Sequence, residues 1–105
     1  MQTRRVVVTG LGAITPIGNT LDAYWEALLK GESGANLITH FDASKFKTQF
    51  ACEVKGFDPN EFIDKKEVRK MDRFTQFALV ASDEALKDSG LDLAHEDKDR
   101  IGVIW

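Results

Sequence analysis

The sequence predicts an α/β protein, and three stretches carry that expectation. Residues 5–10, RVVVTG, form a β-branched run that ends at glycine. Residues 64–90 have the periodicity of one long helix. Residues 100–105, RIGVIW, form a second short apolar run. The two short runs are apolar on both faces, so they read as strands buried on both sides, as in a parallel or mixed sheet. Strand, loop and helix is also how α/β chains open.

After the first run, residues 11–18 (LGAITPIG) are punctuated by glycine and proline and read as a loop. Asn19 or Thr20 can cap the next helix, with Asp22 in its first turn. Leu21, Tyr24, Trp25, Leu28 and Leu29 give that helix an i, i+3, i+4, i+7, i+8 stripe, and Gly31 ends it. Residues 31–47 are small and polar, an irregular stretch anchored by Leu37, Ile38 and Phe41. Residues 50–54, FACEV, alternate weakly and suggest a short edge strand. Asp58-Pro59 places a cap and a first-turn proline before a short helical turn. Residues 91–99 are a charged connection to the last apolar run.

The long helix has two characters. Met71, Phe74, Ala78, Ala81 and Ala85 share one face, and Phe77, Leu79 and Val80 widen it until FALVA is apolar nearly all round. Such a helix is expected to be enclosed, with its alanines admitting close neighbours. Asp64 can cap its start, with Glu67 completing a capping box, and Gly90 supplies a left-handed stop. Its first turns carry Lys65, Lys66, Arg69 and Lys70. Cations at the positive end of a helix cost about 0.3–1 kcal/mol each when exposed. An anionic partner would account for them; so would a solvated face relieved by Glu67 and Asp72.

A formal net charge of −3 argues against a general nucleic-acid binder and makes this basic cluster conspicuous. One cysteine excludes an internal disulfide framework and fits a reducing compartment. No apolar run approaches the roughly 20 residues that span a bilayer, and the N-terminal apolar run is too short for a signal peptide. A cytoplasmic protein is therefore expected. Two apolar strands and a nearly all-apolar helix leave much surface without a partner, so 105 residues read as part of a larger protein. A small self-contained α/β domain is the other reading.

The catalytic and cofactor motifs fail on spacing. Gly10-x-Gly12 would need a glycine or alanine at Thr15 to bind a dinucleotide, and Gly18-Asn19-Thr20 lacks the lysine of a phosphate loop. Glycines that let the backbone turn tightly are the simpler reading, and no cofactor is expected. Cys52 sits beside Glu53 with nothing to lower its pKa, and reads as a small buried packing residue. His40 and His95 have no metal-ligand spacing, and the acidic run at Asp92, Glu96, Asp97 and Asp99 lacks the pattern of a calcium loop. No metal site and no catalytic constellation emerge.

Four stretches, VVVTGLGAITPIGNT, ITHFDASKFKTQFA, DKKEVRKMDRFTQFAL and RIGVIW, together resemble the start of the 3-oxoacyl-[acyl-carrier-protein] synthases, closest to type II. Polyketide synthase condensing domains share a similar opening. The resemblance covers essentially the whole chain, residues 1–105, and implies the N-terminal portion of the synthase N-terminal domain. It implies a thiolase-like fold of five layers, to which this chain gives the first strand, the first helices with the central buried one, and the next strand. It implies a homodimer that elongates fatty acyl chains by decarboxylative Claisen condensation. In that chemistry a cysteine holds the acyl chain as a thioester, and two histidines help to form the carbanion from malonyl-carrier protein. Those residues are expected beyond position 105, so Cys52, His40 and His95 do not stand in for them. One functional surface does carry over. The family's corresponding helix start binds the acidic acyl carrier protein, which maps here to Lys65, Lys66, Arg69 and Lys70.

Overall fold

A computed structural model describes residues 1–105. Three helices and a two-stranded antiparallel sheet make a mixed α/β structure: α1 (Leu21–Lys30), β1 (Ala35–Leu37), β2 (Phe50–Cys52), α2 (Lys65–Val68) and α3 (Arg73–Ser89). Short 3-10 turns lie at Pro59–Glu61 and Lys98–Arg100.

The helix ends follow the expected chemistry. Thr20 caps α1 by accepting from the Ala23 N–H, and Gly31 closes it in the left-handed conformation, φ 69°. Gly90 closes α3 the same way, φ 67°. Asp58 accepts from the Asn60 N–H at the head of the 3-10 turn.

The single helix expected over 64–90 is two. Asp64 does cap its start, accepting from the Lys66 N–H at 2.8 Å. Then Lys70 N–H bonds to Glu67 C=O and Met71 N–H to Val68 C=O, i→i−3 bonds that tighten and end the first helix. Asp72 is extended, with ψ 159°, and α3 starts after it. The capping box is half formed, because the Glu67 carboxylate pairs with Lys70 Nζ at 3.0 Å.

Neither terminal apolar run is a strand here. Residues 6–10 and 102–105 make no backbone hydrogen bonds, and Val6 and Ile104 are 93% and 98% exposed. A strand is defined by a partner's ladder, and no neighbouring chain segment offers one. The sheet pairs the edge strand expected within residues 50–54 with a partner from the stretch read as irregular. β1 pairs with β2 in register Ala35↔Cys52, Asn36↔Ala51, Leu37↔Phe50. Three residues are too few for alternation to be visible in sequence.

Residues 1–105 do not by themselves enclose the long helix. Only Gln76 and Val80 of α3 are buried, and Phe74 is 62% exposed. Five residues in all are buried, and the radius of gyration is 17.5 Å. A packed domain of this length would have a radius near 13 Å. The chain is an open scaffold around α3, not a closed core.

What does close is the contact of residues 10–13 with the second half of α3. A side chain at Gly10 would fall on the Ala85 carbonyl oxygen, and one at Gly12 on that of Ala81. These glycines therefore serve close approach to a helix rather than a tight turn. Ala81 and Ala85 permit that approach from the other side, as their small size implies.

Candidate functional site

The basic cluster is assembled at the junction of α2 and α3. Lys65, Lys66, Arg69 and Lys70 are all exposed. Lys70 is held by Glu67. The side chains of Lys65, Lys66 and Arg69 make no ion pair and no hydrogen bond. A four-residue helix does not sustain itself, because nucleation fixes several dihedrals for few bonds. Its orientation must come from outside.

Two contacts supply it. Phe57 stacks parallel to Phe62 at 6.2 Å and meets Phe77 of α3 edge-on at 5.0 Å. This aromatic cluster ties the 3-10 turn before α2 to α3. The second contact is Gln76. Its amide nitrogen donates to the carbonyls of Val68 and Met71, each at 3.4 Å. Sequence reasoning missed Gln76; the available signal was a polar residue inside the apolar run TQFALV.

Arg73 was missed as well. Its guanidinium lies over the Phe57 and Phe77 rings, 5.3 and 5.4 Å from the centroids. As the first residue of α3, with no acid in that helix's first turn, it adds a cation to an already positive end.

Beside this region is a cleft of about 740 Å³ lined by Thr39, His40, Glu53, Lys55, Phe57 and Arg73 among others. Glu53 organises it. Its carboxylate accepts from the Thr39 hydroxyl at 2.8 Å and from the Thr39 and His40 N–H groups. The Thr39 hydroxyl bond is the main reason its carboxyl is held below the ordinary value, against the opposing effect of desolvation. Lys55 Nζ is occupied by the carbonyls of Pro16, Gly34 and Glu53.

Cys52 is exposed, which corrects the expectation that it packs inside. Placed on a two-stranded edge, it has nothing above it to bury it. It shares a smaller cavity with His40, Glu53 and Arg73, which spacing alone did not foresee. No hydrogen bond joins Cys52 to His40, and Glu53 is occupied with backbone N–H groups. A nucleophile without a base in contact is not a catalytic pair. His95 pairs with Asp92 on the surface, at 2.6 Å. No group of three or more His, Cys, Asp and Glu side chains could hold a metal ion. No helix is long and apolar enough to cross a membrane.

Sequence comparison supplies the context for this exposed cationic surface. Residues 3–105 match the family described as beta-ketoacyl synthase, N-terminal domain. The chain belongs to that family. It is 52% identical over 103 residues to a 3-oxoacyl-[acyl-carrier-protein] synthase 2 from Vibrio harveyi, covering 98% of this chain and 25% of that protein. The match to the same enzyme from Staphylococcus aureus strain COL is 50% over 102 residues, again 25% of the relative. The chain thus spans about a quarter of the length of the curated relatives it matches. Among solved structures, the ishigamide ketosynthase/chain length factor aligns with TM-score 0.77 and 42% identity, over 85% of this chain and 22% of that one. A type II PKS acyl-carrier protein in complex with its ketosynthase aligns with TM-score 0.63 and 31% identity, over 87% and 23%.

Proposed function

We propose that this chain is the N-terminal portion, residues 1–105, of a 3-oxoacyl-[acyl-carrier-protein] synthase, and that its own task is scaffold and carrier docking. The whole enzyme elongates a fatty acyl chain. Malonyl-carrier protein loses CO2, the resulting carbanion attacks an acyl thioester on the enzyme's cysteine, and the cysteine thiolate leaves. The thiolase-like fold and the homodimer belong to that whole enzyme. None of the condensing residues is assigned to Cys52, His40 or His95.

The observation that carries the docking role is the state of the cluster. Lys65, Lys66 and Arg69 stand exposed with no acidic partner on a chain of net charge −3. An acidic helix of the acyl carrier protein is the complementary surface, and such charge matching raises encounter rate and fixes orientation. The carrier complex of a related ketosynthase supports the partner class.

The test is charge reversal in a full-length synthase containing this segment. Lys65→Glu with Arg69→Glu should raise KM for the carrier protein about tenfold, equivalent to roughly 1.4 kcal/mol. The increase should shrink as salt rises, since exposed charges are screened. An unchanged KM at low salt removes the docking role.

A second reading is a polyketide-type condensing enzyme, favoured by the 42% identity to the ishigamide ketosynthase/chain length factor. Comparing turnover with fatty-acid and polyketide carrier proteins separates the two.

A further inference from the structure

We propose that Gln76 is the positioning residue of the docking surface, setting where α2 presents its cations. This rests on the docking reading above and adds the device that makes it geometric. Gln76 is 7% exposed, in the first turns of α3. Each of its two amide hydrogens goes to a different carbonyl: Val68, the last residue of α2, and Met71, at the end of the turn that follows. The Val68 carbonyl also accepts from the Met71 N–H, whereas the Met71 carbonyl has no backbone donor, as carbonyls beyond a helix end lack one. One side chain of α3 therefore closes the exit of α2, bracketing Arg69 and Lys70 between its two bonds.

The orientation of the amide is dictated by its surroundings. Turned over, its oxygen would face two carbonyl oxygens. As placed, the nitrogen is satisfied and Oε1 is buried with no partner. An unsatisfied buried acceptor is costly, so the pair of donor bonds is what the site retains at that expense. An apolar side chain of the same length would fill the space without that penalty but would leave the Met71 carbonyl open, the Val68 carbonyl with its Met71 N–H bond alone, and α2 without its clamp.

Gln76→Met makes that change with little loss of volume. Two measurements on a full-length synthase containing this segment test it. The first is fluorescence anisotropy of labelled acyl carrier protein at about 10 mM salt, where the screening length is roughly 30 Å. Affinity should fall about fivefold in Gln76→Met, the size of one net hydrogen bond. The second is amide hydrogen exchange. Lys70 and Met71, whose N–H groups bond back into α2, should exchange faster, while residues of the second half of α3 should not change. Gln76→Asn, which keeps the donor on a shorter arm, should recover part of the exchange protection.

Unchanged affinity and unchanged exchange overturn the proposal. So does faster exchange spread evenly along α3, which would make Gln76 a general packing residue. If the unsubstituted synthase binds no carrier protein, the docking reading fails with it. Exchange then still decides whether Gln76 clamps α2.

Discussion

The two ends of α3 hold their neighbours by different means. Toward the C-terminus, carboxylates of the helix reach out to backbone N–H groups. Asp88 accepts from Leu11, and Glu84 accepts from both Ala13 and Leu21, each at 2.9 Å. Leu21 is the first residue of α1, so Glu84 also lies at that helix's positive end. Toward the N-terminus the helix uses a neutral amide and two aromatic rings. Gln76 closes α2, and Phe77 packs on Phe57. The difference teaches where the charge goes. Acidic groups are turned onto the protein's own backbone, while Lys65, Lys66 and Arg69 are left to solvent. Formal net charge therefore understates how positive the α2 surface is.

The strongest way to break the comparison is to separate residues 10–13 from α3. Gly12→Val should destabilise the chain by about 3 kcal/mol, because its side chain would meet the Ala81 carbonyl and adjoining backbone that cannot yield. Gly102→Ala, which meets nothing, should stay within about 0.5 kcal/mol. Urea unfolding of both measures the contrast. Equal midpoints would mean that the glycine contact contributes nothing to folding.

A smaller effect is expected at Glu84. Glu84→Ala removes the acceptor of two part-buried N–H groups, a loss of about 2 kcal/mol. Glu84→Gln keeps an acceptor oxygen but not the charge, and should lose about half as much. Both should leave carrier-protein affinity unchanged, since the α2 end does not use this carboxylate. A parallel drop in affinity would show the two ends to be one cooperative unit.

What could be read from sequence, and what could not, follows the same division. Caps and stops were legible because one residue determines each: Thr20, Gly31, Asp58, Asp64 and Gly90. The cationic residues were legible because an exposed surface is a list of side chains. The break at Asp72 was not, since Lys70 and Met71 are acceptable helix formers and only the i→i−3 bonds end the turn. Gln76, Glu84 and Asp88 were hidden because their partners are backbone groups 5 to 77 residues away. The terminal runs were read as strands from composition, but composition cannot supply the ladder that makes them strands.

The mildest perturbation sharpens the comparison most finely. Of the four basic residues in the cluster, Lys70 alone is paired, with Glu67 at 3.0 Å across i,i+3, and half or more of each side chain is exposed. Such a pair contributes little to folding, so Glu67→Gln should shift stability by less than about 0.5 kcal/mol. It also frees Lys70 and removes one negative charge from the docking surface. Carrier-protein affinity should therefore rise about twofold at low salt and return to the parent value as salt screens it. If affinity falls instead, Glu67 is acting like the carboxylates at the other end of α3, ordering its own chain, and the contrast between the two ends does not hold at that position.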